Sequence, residues 1–228
     1  MTTFAGFADG DAKFWKALAR NNERAWFNAH KAEFEEGWNA PMKQLLADVR
    51  EAVDATYRYV DLAEPKVFRV FRDVRFSKDK SPYKTQVGGF IPLERRGKKV
   101  TDLPMALYFQ VGATETFGAA GHYMMESESL ERFRKAVDDD KRGRELTKLL
   151  ASLAKAGYAA SSHDSLKRVP KGFDPEHPRA ELLKAKGLTV AFPSVPKRLL
   201  TSPKLVPWLA AACKKTAPLV EFLAFATA

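Results

Sequence analysis

Residues 66–76 read Lys-Val-Phe-Arg-Val-Phe-Arg-Asp-Val-Arg-Phe, and the hydrophobic period of the chain changes here from that of a helix to that of a strand. Such an alternation predicts a β-strand, because successive side chains of a strand point to opposite faces of a sheet. Arg72 would then share one face with Val70 and Val74. The stretch divides a helical N-terminal part of the sequence from a β-rich centre.

Three further segments have strand periodicity, and glycines that mark turns or bulges separate them. They are Thr85–Leu93, Ala106–Ala113 and Phe117–Met124. The connections between these segments are too short for crossover helices, so the strands are expected to be antiparallel. The sequence thus predicts an antiparallel β meander over about residues 66–124.

Helical periodicity precedes the meander. The Asn21-Asn22 pair ends a first helix and supplies a cap for a second, which is predicted over residues 23–36 and is expected to stop near Gly37. Pro41 is well placed in the first turn of a third helix.

Helices return after Met125, on both sides of a proline-rich loop over residues 161–180. A short helix is predicted from Arg179 to Lys186, and a C-terminal helix is predicted with an interruption near Pro218. Helix–sheet–helix order without alternation is typical of an α+β fold. We therefore predict one α+β domain over residues 1–228, with the meander flanked by N-terminal and C-terminal helices.

The composition is that of a globular protein. Of the 228 residues, 45% are hydrophobic and 29% are charged, close to the averages for soluble domains. The single cysteine, Cys213, excludes an internal disulfide and favours a reducing compartment. No apolar run reaches the roughly 18 residues that a membrane-spanning helix needs, and the N-terminus lacks the pattern of a signal peptide. We expect a cytoplasmic protein without a membrane partner.

The net charge of +10 is concentrated in two stretches. Residues 66–99 hold eleven Lys and Arg against three acids, a net charge of +8, and residues 163–198 hold eight against four, a net charge of +4. Like charges this close along a chain form a solvated surface or surround something anionic.

The densest group of polar side chains lies in residues 71–85. Arg72 is unusual, because an arginine in an apolar row must pair with a carboxylate, bind an anion or extend to solvent. A guanidinium group suits bidentate capture of carboxylate or phosphate, and the Ser-Lys-Asp-Lys-Ser-Pro loop would add further donors. The candidate ligand-binding residues here are Arg69, Arg72, Asp73, Arg75, Ser77, Lys80, Tyr83 and Lys84.

A second group of polar residues lies in the proline-rich stretch 166–178. Prolines stiffen this loop, so charged groups on it lose less entropy when they bind. Lys167 and Arg168 are further candidate ligand-binding residues, and Asp174 would orient His177 for acid–base chemistry. Alternatively, Asp174 or His177 caps the short helix that follows.

Asp79 and His177 are the candidate catalytic residues, both as acid–base groups. Two Ser-x-x-Lys matches, at Ser77 and Ser81, lack the partner motifs that β-lactamase-like chemistry needs. The four histidines are scattered, and no glycine-rich nucleotide motif occurs. The sequence therefore indicates no metal and names no cofactor, and whether the protein is an enzyme stays open.

Four motifs span nearly the whole chain. They read Asn21-Asn22-x-x-x-Trp26-Phe27-x-x-His30-Lys31, Phe71-Arg72-Asp73-x-Arg75-Phe76-Ser77-x-Asp79-Lys80-x-Pro82-Tyr83-Lys84, Tyr108-Phe109-Gln110-Val111 and Leu166-Lys167-Arg168-x-Pro170-Lys171-Gly172-Phe173-Asp174-x-x-His177-Pro178. These motifs resemble the uncharacterised family catalogued as domain of unknown function 2461. The resemblance implies a soluble, mostly bacterial protein, and it carries over no catalytic residue. The chain departs from the family at Ala120-Gly121-His122-Tyr123, so a role for His122 would be peculiar to this protein.

We predict that the protein binds a small anionic ligand bearing phosphate or carboxylate, and hydrolase or transferase chemistry stays open. Segments 69–84 and 167–177 are expected to share one site. Nucleic-acid binding through stretches 66–99 and 163–198 is an alternative, with aromatic residues available for stacking. A structural or protein-interaction domain without catalysis is another, in which an internal Arg–Asp network only locks the strand. The sequence names no protein partner.

Overall fold

The computed structural model of the chain describes residues 3–75, 78–95 and 105–227. Its helical elements are α1 (Lys13–Arg20), α2 (Arg24–Ala29), α3 (Lys31–Phe34), a π-helical turn (Glu35–Asn39), α4 (Ala40–Val53), a 3-10 turn (Asp54–Thr56), α5 (Ser127–Asp138), α6 (Asp140–Lys155), α7 (Ala180–Lys184), α8 (Lys197–Leu200) and α9 (Leu205–Ala226). Its strands are β1 (Val60–Leu62), β2 (Lys66–Val67), β3 (Gln86–Arg95), β4 (Met105–Gly112), β5 (Thr116–His122), β6 (Ala159–Ser161) and β7 (Leu188–Ala191).

Seven strands of the described residues form one antiparallel sheet in the order β1-β3-β4-β5-β7-β6, and β2 also pairs with β3. The α+β fold class and the antiparallel central strands are thus confirmed. The sheet is larger than the predicted meander, because β1, β6 and β7 lie outside residues 66–124. These three strands have only three or four residues each, too few for a period of 2 to be recognised in the sequence.

Helices α4 and α9 pack on one face of the sheet. A Cβ on Gly89 of β3 would lie 2.6 Å from Leu46 of α4, and the buried Ile91 and Val111 share that face. Side chains that alternate with these form what we call the outer face. The outer face carries Phe68, Gln86, Phe90, Tyr108, Gln110 and Phe117.

The sequence predicted that the second helix ends near Gly37, and this prediction is wrong. The N-terminal helical region continues through the π-helical turn into α4, and Pro41 lies in the first turn of that helix. Gly37 instead allows Ala8 to pack closely against the helical region, because a Cβ on Gly37 would lie 2.8 Å from the Cβ of Ala8. The N–H of Ala8 donates to the carbonyl of Gly37 at 3.1 Å.

The strand predicted over residues 66–76 is only partly formed. Lys66–Val67 pairs with β3, and the N–H of Phe68 donates to the carbonyl of Gly88 at 2.9 Å. Beyond this point the chain leaves the sheet and pairs with its own return segment.

We call residues 68–84 the basic hairpin. The N–H of Arg72 donates to the carbonyl of Pro82 at 2.9 Å, and the N–H of Lys84 donates to the carbonyl of Val70 at 2.7 Å. The alternating sequence therefore belongs to the first arm of a hairpin. Alternation predicts an extended segment, but it does not specify which segment will be the partner.

The interruption predicted near Pro218 is also wrong, because α9 runs without a break through this residue. Burial explains the continuity. Leu209, Leu219 and Leu223 are at most 2% exposed, so packing compensates for the backbone hydrogen bond that proline cannot make. The buried side chains form a core cluster that extends from Phe4 to α9. The single-domain organisation stays a prediction.

Pro218→Ala is expected to stabilise the protein by about 1–3 kcal/mol. Pro218 is exposed, and an alanine there supplies the N–H that an α-helix donates to the carbonyl one turn earlier. Urea denaturation would measure the change in the free energy of unfolding. The control Lys215→Ala, exposed on the same helix, should change it by less than about 0.5 kcal/mol. An unchanged or lower stability of the Pro218 variant would contradict the prediction.

Candidate functional site

Asn22 and Tyr83 hold the basic hairpin against the N-terminal helices. The Tyr83 ring is 2% exposed and stacks on Phe27 with ring centroids 4.2 Å apart. The Asn22 side chain donates from Nδ2 to the Tyr83 carbonyl and accepts the Tyr83 N–H at Oδ1, both at 3.0 Å. Asn22 was predicted to cap the second helix. Its side chain instead bonds the backbone N–H and carbonyl of Tyr83. The tyrosine predicted to contact a ligand is buried in the protein.

The Arg72 side chain bonds two later residues of the hairpin. Its Nη1 lies 2.8 Å from Oδ2 of Asp79, and its Nη2 donates to the carbonyl of Tyr83 at 3.3 Å. The Arg72 Nε is buried, and within the described part of the chain it has no hydrogen-bond partner. The pKa of Asp79 is lowered, first by hydrogen bonds from Ser81 and then by the charge of Arg72. Asp79 is therefore an ionised partner of Arg72 at neutral pH.

Arg75 and Lys80 are used within the hairpin. Arg75 donates from Nε and Nη2 to the two carboxylate oxygens of Asp73, at 3.0 and 2.7 Å. These bonds lower the pKa of Asp73 to about 2, and the charge of Arg69 contributes to the same shift. The Lys80 ammonium donates to the carbonyl of Val74 at 2.9 Å. The predicted ligand-binding residue Ser77 lies outside the described residues.

Arg69 and Lys84 have no such partners among the described residues. The pKa of Lys84 is lowered by burial and by the positive charges of Arg69 and Arg72. Among the described residues, no carboxylate lies within 4.0 Å of the charged nitrogens of Arg69 or Lys84. The Lys84 Nζ lies 5.1 Å from the ring centroid of Phe68. We call Arg69, Arg72 and Lys84 the cation cluster.

A hydrogen-bonded polar network lies on the outer face of the sheet. Oε1 of Gln110 accepts from Nε2 of Gln86 at 2.9 Å and from the Tyr108 hydroxyl at 2.5 Å. Nε2 of Gln110 donates to Glu115 at 2.9 Å. Burial raises the pKa of Tyr108 to about 12, so its hydroxyl keeps its proton at neutral pH. A Cβ on Gly88 would lie 2.9 Å from this hydroxyl, so the glycine leaves room for it.

This network and the aromatic side chains beside it were not predicted from the sequence. Phe68 lies 5.1 Å from Phe90 and 6.3 Å from Tyr108 between ring centroids. One signal was present, since Gln110 is a polar residue inside an otherwise apolar strand and is 6% exposed. Its partners Gln86 and Glu115 gave no signal, because their approach depends on strand pairing.

The second predicted group forms a helix start. Nδ1 of His177 accepts the N–H of Arg179 at 3.0 Å, and its Nε2 lies 3.6 Å from Oδ1 of Asp138. The Asp174 carboxylate accepts the N–H of Glu176 instead of orienting the histidine. The Arg179 guanidinium donates to the carbonyl of Val137 at 2.7 Å. His177 thus bonds the residue that precedes α7, and among the described residues no side chain caps the helix itself. Lys167 and Arg168 are exposed on the loop before it.

The two predicted segments contact different parts of the protein. Segment 69–84 contacts the N-terminal helical region, whereas segment 167–177 contacts the junction of α5 and α6 and the start of α7. In the sheet, β4 and β5 separate β3 from β7. These contacts give no support to one shared site. The acid–base roles of Asp79 and His177 stay predictions.

His122 is largely buried at the end of β5. Its Nδ1 has no hydrogen-bond partner in the described part of the chain. Burial lowers its pKa to about 4, so the imidazole is neutral near pH 7.

Residues 3–75, 78–95 and 105–227 lack two further features. No group of three or more His, Cys, Asp and Glu side chains there is arranged to hold a metal ion. No helix there combines the length and the apolar character that crossing a membrane requires.

These observations define an α+β protein with an antiparallel sheet backed by helices and a cation-rich hairpin at its edge. A family model described as a conserved hypothetical protein, DUF2461, matches residues 11–222. The chain belongs to this family, which confirms the resemblance predicted from its four motifs. A search among curated proteins gave no match.

Asn22→Ala is expected to lower the free energy of unfolding by about 1–3 kcal/mol, because the buried backbone groups of Tyr83 lose both partners. Urea denaturation would measure the loss. Asn28→Ala is the matched control, since Asn28 is exposed on α2. The control should stay within about 0.5 kcal/mol of the parent protein, and equal losses in both variants would contradict the role of Asn22.

The stability of the protein should fall as the pH is lowered from about 6.5 to about 4. The folded state holds His122 neutral until about pH 4, whereas the unfolded chain takes up a proton near pH 6.5. This difference amounts to about 3 kcal/mol of unfolding free energy. Urea titrations at pH 7.0, 5.5 and 4.5 would measure it. The variant His122→Leu should lack this part of the pH dependence, and an identical pH profile in the variant would show that another group causes the loss.

Proposed function

We propose that the protein binds a small anionic ligand at the cation cluster. The observation that carries this proposal is the environment of Lys84. Its ammonium is half-buried, and its pKa is lowered first by burial and then by the positive charges of Arg69 and Arg72. No described carboxylate lies within 4.0 Å to neutralise it. A phosphate or carboxylate placed between Arg69, Arg72 and Lys84 would relieve this repulsion, and guanidinium groups bind such anions in a bidentate manner.

The pairing of the other hairpin charges supports the same proposal. Arg75 is chelated by Asp73, and Lys80 is bound to a backbone carbonyl. Both pairs are exposed, so they contribute little to stability, but they keep these two side chains folded back on the hairpin. Arg75 and Lys80 are therefore already engaged, whereas Arg69 and Lys84 have no described carboxylate as a partner.

The charges of the second basic stretch favour a small ligand over a nucleic-acid duplex. Lys184, Lys186 and Lys197 of this stretch pair with Glu181, Asp164 and Asp11 respectively. Arg179 is largely buried and bound to backbone carbonyls. A protein that follows a duplex backbone needs many accessible cations. Four of the eight cations in this stretch are already engaged, which leaves Lys167, Arg168, Lys171 and Arg198 exposed.

The proposal is limited to binding. Asp79 is ionised and held by Arg72 and Ser81, which makes it a weak base near neutral pH. His177 is used at a helix start on another part of the protein. Hydrolase or transferase chemistry would need groups that the ligand or the undescribed residues bring to the site.

Isothermal titration of the full chain with inorganic phosphate and pyrophosphate tests the proposal. Arg69→Gln and Lys84→Gln should each weaken binding about tenfold or more, since each removes a charge-assisted bond. Lys171→Gln, which removes an exposed charge from the second basic stretch, is the matched control and should bind like the parent protein. Affinity should also fall as the pH rises toward the lowered pKa of Lys84, because the neutral amine attracts no anion.

Two outcomes would overturn the proposal. One is the absence of binding by a correctly folded parent protein, which would favour a purely structural role for the hairpin. The other is equal binding by all variants, which would place the anion elsewhere. Repeating the titration at two salt concentrations separates a single anion site from a polymer site, whose affinity falls much more steeply with salt.

A further inference from the structure

The outer face of the sheet presents aromatic rings next to the cation cluster. Phe68 is 43% exposed, and the next aromatic residue of the hairpin, Phe71, is 59% exposed. The half-buried Phe90, Tyr108 and Phe117 extend this aromatic surface. The Phe68 ring centroid lies 5.1 Å from that of Phe90 and 6.3 Å from that of Tyr108, and the Tyr108 centroid lies 6.2 Å from that of Phe117. Exposed aromatic surface of this kind is costly in water, and contiguous patches of it mark binding sites.

Phe68 is the aromatic residue of this surface that contacts the cation cluster. The Lys84 Nζ lies 5.1 Å from its ring centroid, within the range of a cation–π contact. The same ammonium belongs to the cation cluster, so an anion bound there lies next to an exposed ring. A ligand with a flat ring attached to its anionic group would occupy both features at once.

The polar network supplies groups that recognise the edge of such a ring. Gln110 is buried, whereas Gln86 and Tyr108 are half-buried, so the network runs from the sheet toward solvent. Gly88 lies between Phe68 and Tyr108 and adds no side chain to this surface. Amide and hydroxyl groups held in fixed orientation distinguish the donors and acceptors of a nucleobase edge.

We infer that the anion of this site is the phosphate of a nucleoside phosphate, whose base lies on the aromatic outer face beside Phe68. This inference rests on the proposed anion-binding function and adds the ligand class to it. The phosphate is bound by Arg69, Arg72 and Lys84. The base contacts Phe68 and Phe90, and Gln86 and Tyr108 face its polar edge. A free mononucleotide and the end of a single strand present the same chemistry, and the experiment separates these two sources.

The test compares adenosine 5′-monophosphate, ribose 5-phosphate and inorganic phosphate by isothermal titration with the full chain. The nucleotide should bind at least about tenfold more tightly than ribose 5-phosphate, because stacking of the base on an aromatic ring contributes enough binding free energy for such a difference. Phe68→Ala should weaken nucleotide binding about tenfold and close the gap between the two ligands. Tyr59→Ala removes a ring that is 50% exposed next to α9 and should leave the gap intact.

The outcomes separate the nucleoside assignment from the anion site. Equal affinities for the nucleotide and ribose 5-phosphate would overturn the nucleoside assignment and leave the anion site standing. Failure of all three ligands to bind would overturn both. If Phe68→Ala unfolds, Phe68→Leu keeps the apolar volume but removes the ring, and an unchanged nucleotide preference in that variant would also overturn the assignment. Competition by a single-stranded tetranucleotide at lower concentration than the mononucleotide would identify a strand end as the source, and weaker competition would identify the free nucleotide.

Discussion

The position of the basic hairpin depends on one side-chain amide. Asn22 bonds both backbone groups of Tyr83, as a neighbouring strand would, and thereby joins the hairpin to the N-terminal helices. The Tyr83 ring completes the attachment by stacking on Phe27. Because residues 82–84 pair with the first arm of the hairpin, this attachment also places Arg72 and Lys84. The cation cluster is therefore positioned from outside the sheet, by helices that precede it in the chain.

The hairpin combines structural and unsatisfied charges in one short segment. Asp73 and Asp79 neutralise Arg75 and Arg72, which stabilise the turn, while Arg69 and Lys84 add positive charge without a described carboxylate of their own. An internal Arg–Asp network and an anion site are thus compatible, because only Arg72 belongs to both. Arg75 belongs to the network alone, and Arg69 and Lys84 belong to the anion site alone. The aromatic rings and the Gln110 network border this charge on the outer face of the sheet.

The long strands were predictable because apolar and polar residues alternate over many positions in each of them. Predicted Thr85–Leu93 and observed β3 (Gln86–Arg95) differ by one or two residues at each end. Within the candidate site, Arg69, Arg72 and Lys84 were all expected to bind a ligand, because clustered cations are visible in any sequence. The roles of Asn22, Gln86 and Gln110 were not, since each depends on a partner that is distant in the chain. The end predicted at Gly37 failed for a related reason, because the glycine serves a contact with Ala8.

The strand order has a consequence for how the chain folds as it is synthesised. Strand β5 pairs with β4 at once, but its other edge waits for β7, which follows α5, α6 and α7 in the chain. Until Leu188–Ala191 has left the ribosome, a growing chain carries an unpaired β5 edge, and such edges promote aggregation. Closing the sheet also requires a contact between residues that are far apart in sequence, which slows folding. Completion of the sheet is thus a late event, and α9, which follows β7 in the chain, then packs on β4 and β5.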